Sequence, residues 1–224
     1  MNNLFEIKVC GINDEISMNA ALNCKVDYVG LVFYPNSPRN ISINLSRELI
    51  KSRNKITKIV ALTVDPNDDF LNEIKKNINP DYIQLHGNEN SRRCLDIKHK
   101  INIPLIKGIN VSNKIDLLRK NREFEDICDI LLFDAPSEDL PGGNGKKFDW
   151  DILKNFKTKT KRMLAGGLNI ENIENAIHIT KAPAIDISSG LEIRKGLKDP
   201  KLIKDFVIKC KSLWWFTYDE NQFK

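Results

Sequence analysis

The segment Phe5-Glu6-Ile7-Lys8-Val9-Cys10-Gly11 decides how the rest of the sequence folds. Its apolar and polar side chains alternate strictly, which is the two-residue period of a β-strand with one apolar face. A strand in a one-sided sheet turns its polar face to water. Here the polar face carries the thiol of Cys10 two residues after the ammonium of Lys8, and Gly11 ends the strand. We therefore expect this strand to present reactive groups at its carboxyl end.

Three later segments end in the same way. Each is a short apolar strand with a reactive or hydrogen-bonding side chain at its carboxyl end: Ile83-Gln84-Leu85-His86-Gly87, Leu131-Leu132-Phe133-Asp134 and Ile185-Asp186-Ile187-Ser188. The rest of the chain is then predicted to be a scaffold that brings these strand ends together.

Strand-like and helix-like segments alternate along the chain. After the first strand, further strands are predicted at 27–33, 57–64, 81–86, 103–108, 128–134, 162–165 and 184–188. Helices are predicted at 13–24 with Asn13 as the cap, 45–53, 67–77, 89–98, 113–119, 149–156, 169–179 and 199–213. Eight strand–helix units predict an α/β protein of the parallel (β/α)8 TIM-barrel type. Without a linker, residues 1–224 are predicted to form a single domain, with residues after about 213 as a C-terminal tail.

A doubly wound open sheet is the competing fold. Such sheets usually have fewer strands, and the nucleotide-binding kind carries G-x-G-x-x-G after its first strand. This chain has Cys10-Gly11-Ile12-Asn13 there. The barrel also predicts that strand eight lies beside strand one, where Asp186 could pair with Lys8 across the seam.

The composition is that of an ordinary soluble protein, with 41% hydrophobic and 29% charged residues in 224. The net charge, 35 − 30 = +5, is spread over isolated lysines, which favours a basic surface over nucleic-acid binding. Five cysteines without a C-x-x-C pair and three histidines without ligand spacing indicate a reduced cytoplasmic protein with no metal site. No apolar run reaches the ~18 residues that cross a membrane, and the early first strand leaves no room for a signal peptide.

Cys10 and Asp134 are the candidate catalytic residues. A nearby ammonium lowers a thiol pKa, so Lys8 is expected to raise the thiolate fraction of Cys10. Asp134 follows a very apolar strand, where desolvation raises a carboxyl pKa towards that of a general acid. Alternatively, Asp134 could cap or salt-bridge the next loop. The spacing alone leaves the catalytic and the structural role open.

Three loops are candidate anion sites. Strand seven is followed by Gly166-Gly167 and strand eight by Ser188-Ser189-Gly190, and glycines let backbone N–H groups converge on an anion. Barrels of this type commonly hold phosphate with these two loops. After strand two, prolines stiffen the loop that carries Arg39, whose guanidinium suits a carboxylate. A solvated surface arginine is the alternative for Arg39.

Taken together, these motifs resemble the phosphoribosylanthranilate isomerase family of tryptophan biosynthesis. The matching motifs run in order from about Lys8 to Asp199: Lys8-Val9-Cys10-Gly11, 30–39 (G-L-V-F-Y-P-N-S-P-R), Gln84-Leu85-His86-Gly87, Asp134, 142–150 (G-G-N-G-K-K-F-D-W), 165–168 (A-G-G-L) and 186–192 (D-I-S-S-G-L-E). The sequence departs from the family pattern at Asn144, Leu191 and Lys195, and the tail after Leu213 lies outside the resemblance.

The resemblance implies a cofactor-independent Amadori rearrangement of N-(5-phosphoribosyl)anthranilate to 1-(2-carboxyphenylamino)-1-deoxyribulose 5-phosphate. In that pattern Asp134 protonates the furanose oxygen, and Cys10 as thiolate removes the C2 proton. Arg39 pairs with the anthranilate carboxylate, and His86 and Gln84 line the floor. The remaining substrate contacts are glycines and serines of three loops: Gly143 and Gly145 of a closing loop, and Gly166, Gly167, Ser188, Ser189 and Gly190 around the phosphate.

Two other interpretations stay open. Sister phosphate-binding barrels, such as indole-glycerol-phosphate synthase or a pentose-phosphate epimerase, would share the anion site but need other catalytic residues, and neither set is evident. A barrel kept as a binding module is the non-enzymatic alternative. The expected partner is a phosphorylated small molecule with an anthranilate carboxylate, bound by a monomer or homodimer. Trp214-Trp215-Phe216 either packs at the end of the last helix or forms a subunit contact.

Overall fold

The computed structural model describes residues 5–135 and 149–219, with side chains up to residue 213. Eight parallel strands pair in chain order and close into a barrel, because β8 returns to β1. The predicted (β/α)8 barrel is therefore confirmed. The strands are β1 (Glu6–Cys10), β2 (Tyr28–Phe33), β3 (Lys58–Thr63), β4 (Tyr82–Leu85), β5 (Leu105–Asn110), β6 (Ile130–Asp134), β7 (Lys161–Leu164) and β8 (Ala184–Ile187).

Helices surround the barrel and cover its outer face. They are α1 (Glu15–Asn23), α2 (Ile43–Ile50), α3 (Asp68–Asn77), α4 (Ser91–Ile101), α5 (Lys114–Phe124), α6 (Ile173–Thr180) and α7 (Pro200–Asp219). Short polar residues cap the first five helices, because their side-chain oxygens accept hydrogen bonds from the otherwise unpaired N–H groups of the first turn. These caps are Asp14, Ser42, Asn67, Asn90 and Asn113. No helix among the described residues is both long enough and apolar enough to cross a membrane.

The structure corrects three predicted elements. Asp14, not Asn13, caps α1, and the Asn13 amide donates instead to the Gly196 carbonyl, 3.1 Å away. The helix predicted at 149–156 is only a 3₁₀ turn, Trp150–Leu153, within the described residues. The last helix continues past residue 213 to Asp219.

An antiparallel hairpin that the sequence analysis missed follows β8. A 3₁₀ turn, Ser189–Leu191, leads into β9 (Glu192–Arg194), which pairs with β10 (Leu197–Lys198). This hairpin lies at the carboxyl end of the barrel, directly after the loop predicted to hold phosphate.

The barrel has two apolar layers that follow from the alternation of each strand. Outward side chains such as Val9, Leu31 and Ile185 pack under the helices, and inward ones fill the barrel interior. The interior cluster is made of Tyr28, Val60, Ile106, Ile130, Leu132, Met163, Ala165 and Ala184.

Polar groups on the inward face of β1 close the barrel. Lys8 is aligned with Asp186 in the register of β1 and β8, and its Nζ lies 2.9 Å from Asp186 Oδ1. Lys8 is fully buried, so its charge is compensated by the carboxylate and not by water. The predicted pair across the seam is confirmed.

Three aspartates at the amino end of the barrel tie neighbouring strands together. Each stands immediately before an even-numbered strand and accepts a hydrogen bond from a backbone N–H of the strand before it, which satisfies a donor at the barrel edge. The pairs are Asp27 with Ile7 (2.8 Å), Asp81 with Ile59 (2.7 Å) and Asp129 with Leu105 (2.8 Å).

Replacing Asp27 by alanine should destabilise the barrel, because the buried N–H of Ile7 would lose its acceptor. We expect a loss of about 1–3 kcal/mol in the free energy of unfolding. Asp27→Asn, which keeps an oxygen acceptor, should cost less. Urea unfolding measures both, with the exposed Asp126→Ala as the control. Equal stability of Asp27→Ala and the control would contradict this function of Asp27.

Candidate active site

The carboxyl ends of the strands surround one open pocket. Its empty volume, with the open mouth included, is about 620 Å³. Side chains from β1 and β6 reach it, as do the loops that follow β2, β4, β7 and β8. Most of the predicted site residues lie on its wall: Cys10, Arg39, Gln84, His86, Asp134, Gly166, Gly167, Ser188 and Ser189.

Three predicted site residues lie elsewhere. Gly190 does not line the pocket but packs against the loop after β7, where an added Cβ would come within 2.1 Å of the Leu168 carbonyl oxygen. Gly143 and Gly145, with Asn144 between them, lie outside the described residues. Within the described part of the chain, no group of three or more His, Cys, Asp or Glu side chains is placed to hold a metal ion.

Cys10 ends β1 with its thiol beside the ammonium of Lys8. The bare α-carbon of Gly30 on β2 leaves room for both, since a Cβ there would lie 2.8 Å from Cys10 Sγ and 3.2 Å from Lys8 Nζ. Burial raises the pKa of the Cys10 thiol, and Lys8 lowers it by a smaller amount. Because burial outweighs the ammonium, the net pKa is raised. The expectation of a lowered thiol pKa was therefore right about Lys8 and wrong about the net sign.

The Lys8 ammonium stays charged in this setting. Burial lowers the pKa of Lys8, but the carboxylate of Asp186 and the thiol of Cys10 together outweigh burial and raise it. Lys8 thus remains a positive charge next to the sulfur.

Asp134 lies at the end of β6, three strands from Cys10 around the barrel. Its Oδ1 accepts a hydrogen bond from the Ala135 N–H, 2.7 Å away, and its Oδ2 lies 3.4 Å from His86 Nε2. Gly166, at φ +88°, allows the next loop to approach, because a Cβ there would lie 3.1 Å from Asp134 Oδ1. The carboxylate is buried at the pocket wall and keeps one oxygen directed towards the imidazole.

His86 and Gln84 form a buried pair on the same wall. The Gln84 amide nitrogen lies 2.9 Å from His86 Nδ1. Since an amide nitrogen only donates, Nδ1 accepts and a neutral ring carries its proton on Nε2, on the side of Asp134. His86 Nε2 and Gln84 Oε1 are buried without a hydrogen-bond partner in the described structure. Buried polar atoms of this kind are usually satisfied, so both are candidates for contact with a ligand.

Arg39 is buried at the pocket wall and fixed by a carboxylate behind it. Its Nε and Nη2 donate to the two oxygens of Glu192 at 2.6 and 2.9 Å. Gly11, at φ +82°, makes room for the arginine, because a Cβ there would lie 2.5 Å from Arg39 Cδ. Lys198 also donates to Glu192, at 2.7 Å. Burial raises the pKa of Glu192, but these donors outweigh it and lower the pKa to about 2.

Glu192 and Lys198 were not predicted as functional residues. Glu192 was quoted only as the end of a motif, and Lys198 was assigned no function. The signal that could have identified them is the position of two charged residues directly after a phosphate-type loop, which the sequence alone does not distinguish from a solvated turn.

Fold and site together define the class: a (β/α)8-barrel enzyme whose pocket lies at the carboxyl ends of its strands, where the active sites of such barrels are found. Comparison with known proteins narrows this class. The model of the N-(5′-phosphoribosyl)anthranilate (PRA) isomerase family matches residues 7–209, and the chain belongs to this family. The resemblance noted in the sequence is thereby confirmed.

Individual relatives agree with this assignment. The isomerase of Rhizobium rhizogenes is 41% identical over 204 residues, which cover 90% of this chain and 91% of that protein. The crystal structure of the Thermotoga maritima isomerase has a TM-score of 0.84 at 29% identity, over 93% of this chain and 99% of that one. An isomerase structure in complex with reduced 1-(o-carboxyphenylamino)-1-deoxyribulose 5-phosphate has a TM-score of 0.79 at 29% identity, with the same coverage.

The raised pKa of Cys10 predicts slow alkylation at neutral pH. In the ligand-free protein, the rate of Cys10 modification by iodoacetamide should rise with pH and inflect above the ordinary thiol pKa of about 8.5. Lys8→Met should move the inflection to a still higher pH. The substitution removes the ammonium of β1 that lies beside the Cys10 thiol, and it leaves the carboxylate of Asp186 near the sulfur. Peptide mass spectrometry follows this one cysteine, with the exposed Lys51→Met as the control. An inflection below 8.5, or a downward shift in Lys8→Met, would show that burial does not dominate.

Proposed function

We propose that this protein converts N-(5′-phosphoribosyl)anthranilate into 1-(2-carboxyphenylamino)-1-deoxyribulose 5-phosphate, with Cys10 as general base and Asp134 as general acid. The observation that carries the proposal is that these two side chains, 124 residues apart, face one pocket from β1 and β6. Two strands separate them on one side of the barrel and four on the other. A pentose bound between them would have an acid and a base on different sides.

The reaction then follows from moving two protons. Asp134 gives its proton to the furanose oxygen as the bond from that oxygen to C1 breaks, and the nitrogen lone pair forms an iminium. Cys10 in its thiolate form takes the C2 proton, and the C–H electrons form the enolamine double bond. Protonation at C1 and loss of the O2 proton give the ketone, so the product is an isomer of the substrate. Each acid–base step contributes typically ~10²–10⁴-fold.

The neighbours of the two catalytic groups support these roles. Lys8 supplies a fixed positive charge where the thiolate must form, which offsets part of the cost of burying that charge. The Nε2–H of His86 lies 3.4 Å from Asp134 Oδ2 but makes no hydrogen bond in the described structure, so it is available to donate to a substrate oxygen. This donor would orient the substrate beside Asp134.

The two ends of the substrate are both anionic, and the pocket has donors for both. We assign the phosphate to backbone N–H groups of the loops after β7 and β8, whose residues Gly166, Gly167, Ser188 and Ser189 line the pocket. We assign the carboxylate to Arg39, which uses Nε and one hydrogen of Nη2 on Glu192 and keeps its other guanidinium hydrogens for a ligand.

The wider expectations belong to the same proposal. The chain would act as one domain in the cytoplasm without a cofactor, as a monomer or homodimer.

Removing either catalytic group should reduce turnover and leave binding nearly intact. Cys10→Ala and Asp134→Asn are each expected to lower kcat by ~10²–10⁴-fold, with a much smaller change in KM, because each group acts mainly in the transition state. Steady-state assays with the fluorescent anthranilate substrate measure both constants. Cys24→Ala, at a cysteine outside the pocket, is the control. Near-normal turnover of Cys10→Ala would show that another group is the base.

Replacing Arg39 should instead affect mainly KM. Arg39→Met removes the carboxylate contact, and Arg39→Lys keeps the charge without the planar fork, so KM should rise in both and more in Arg39→Met. The exposed Arg47→Met controls for the loss of one positive charge. An unchanged KM in a folded Arg39→Met protein would place the carboxylate elsewhere.

A further inference from the structure

Glu192 joins the two anion contacts of the pocket from behind. Its Oε1 accepts from Arg39 Nε and Lys198 Nζ, and its Oε2 accepts from Arg39 Nη2 and the Gly196 N–H at 3.2 Å. Four donors saturate the carboxylate, which therefore has no free lone pair for a ligand. Both oxygens hold the arginine in one orientation.

Lys198 connects Glu192 to the loop after β8. Its Nζ donates to Glu192 Oε1 at 2.7 Å, to the Ser188 carbonyl at 3.0 Å and to Ser188 Oγ at 3.2 Å. These bonds use all three hydrogens of the ammonium. Ser188 Oγ in turn donates to the Cys10 carbonyl at 3.1 Å, which ties the same serine to β1.

Neither Glu192 nor Lys198 lines the pocket, although their partners Arg39 and Ser188 do. The side chain of Glu192 is 4% exposed and that of Lys198 is fully buried. Their function must therefore act through the residues that they hold. The chain Arg39–Glu192–Lys198–Ser188 carries a net charge of +1 before a ligand binds.

The hairpin that carries this chain is itself fixed against the Arg39 loop. Gly196, at φ +80°, lies so close to that loop that a Cβ would be 2.3 Å from the Pro38 carbonyl oxygen. The Gly196 carbonyl accepts from the Asn13 side chain at 3.1 Å. The β9–β10 turn thus touches both the loop after β1 and the residue before Arg39.

We propose that Glu192 and Lys198 are positioning residues that fix the spacing between Arg39 and Ser188, and thereby select ligands with a carboxylate and a phosphate at one separation. This inference rests on the proposed function, which places the two substrate anions on these residues. Specificity for the substrate then depends on the spacing between Arg39 and Ser188, and the β9–β10 hairpin sets that spacing. A ligand with only one anion gains nothing from the fixed spacing.

Calorimetric titration of the full chain tests the proposal with three probes. The two-anion probe is reduced 1-(o-carboxyphenylamino)-1-deoxyribulose 5-phosphate, and the one-anion probes are inorganic phosphate and anthranilate. The variants are Glu192→Gln, which is isosteric, and Lys198→Arg, which keeps the charge but changes the geometry. Glu48→Gln and Lys201→Arg, both at exposed positions, are the matched controls, and thermal unfolding checks that each variant is folded.

Glu192→Gln is expected to weaken the two-anion probe by ~10²-fold, the effect typical of a misplaced contact, while inorganic phosphate changes by less than ~3-fold. Lys198→Arg should also weaken the two-anion probe more than inorganic phosphate, but by a smaller factor than Glu192→Gln. Equal or tighter binding of the two-anion probe to Glu192→Gln would mean that Glu192 is only a negative charge, and would overturn the proposal. Equal weakening of all three probes, with a lower Tm, would mean a purely structural function and would also overturn it.

The same titrations separate the inference from the proposed function. A wild-type protein that fails to bind the two-anion probe overturns the proposed function, and the inference falls with it. A wild-type protein that binds the probe and turns over the substrate, while Glu192→Gln binds every probe as the wild type does, overturns the inference alone.

Discussion

The ion pair between Lys8 and Asp186 is the contact on which the rest of the site depends. It joins residues 178 positions apart on the two strands that close the barrel. Cys10 and Ser188 follow two residues later on the same inward faces, so the register that pairs the charges also brings the thiol-bearing residue next to the serine. A slip of either strand by one residue would turn the inward side chains of that strand outward. Losing one partner of such a buried pair costs ~3–5 kcal/mol, which penalises any other register.

Each positive charge of the site already contacts a carboxylate before any ligand arrives. Lys8 has Asp186, and Arg39 and Lys198 share Glu192. An unpaired buried charge would be far more costly than a paired one, so the site avoids storing free cations. In the proposed function, neutral backbone donors therefore recognise the phosphate, and the unused hydrogens of Arg39 recognise the carboxylate. The same balance explains why burial, and not a neighbouring cation, sets the direction of the Cys10 pKa shift.

The fold and the inward residues of β1 and β8 could be predicted because they follow from periodicity, whereas the roles of the loop residues came from the family resemblance. The two-residue alternation of β1 identified Lys8 and Cys10 as inward residues, and parallel closure placed Asp186 opposite Lys8. The β9–β10 hairpin could not be predicted in this way. It is short and rich in charged residues, and Glu192 and Lys198 have the sequence pattern of a solvated turn although their side chains are buried. Burial of this kind depends on long-range packing, which local patterns do not encode.

The inward face of β1 carries both buried polar pairs of the barrel interior and a residue of the pocket. Glu6, Lys8 and Cys10 lie at successive levels from the amino to the carboxyl end of the strand. Glu6 accepts from the Tyr28 hydroxyl at 2.5 Å and pairs with Lys161, and Lys8 pairs with Asp186. The charges of Glu6 and Lys8 are thus each neutralised at their own level by a residue from another strand. Of these three residues, only Cys10 has a side chain that faces the pocket. An alternating strand can carry a reactive residue at its end because the two polar residues beneath it are already satisfied.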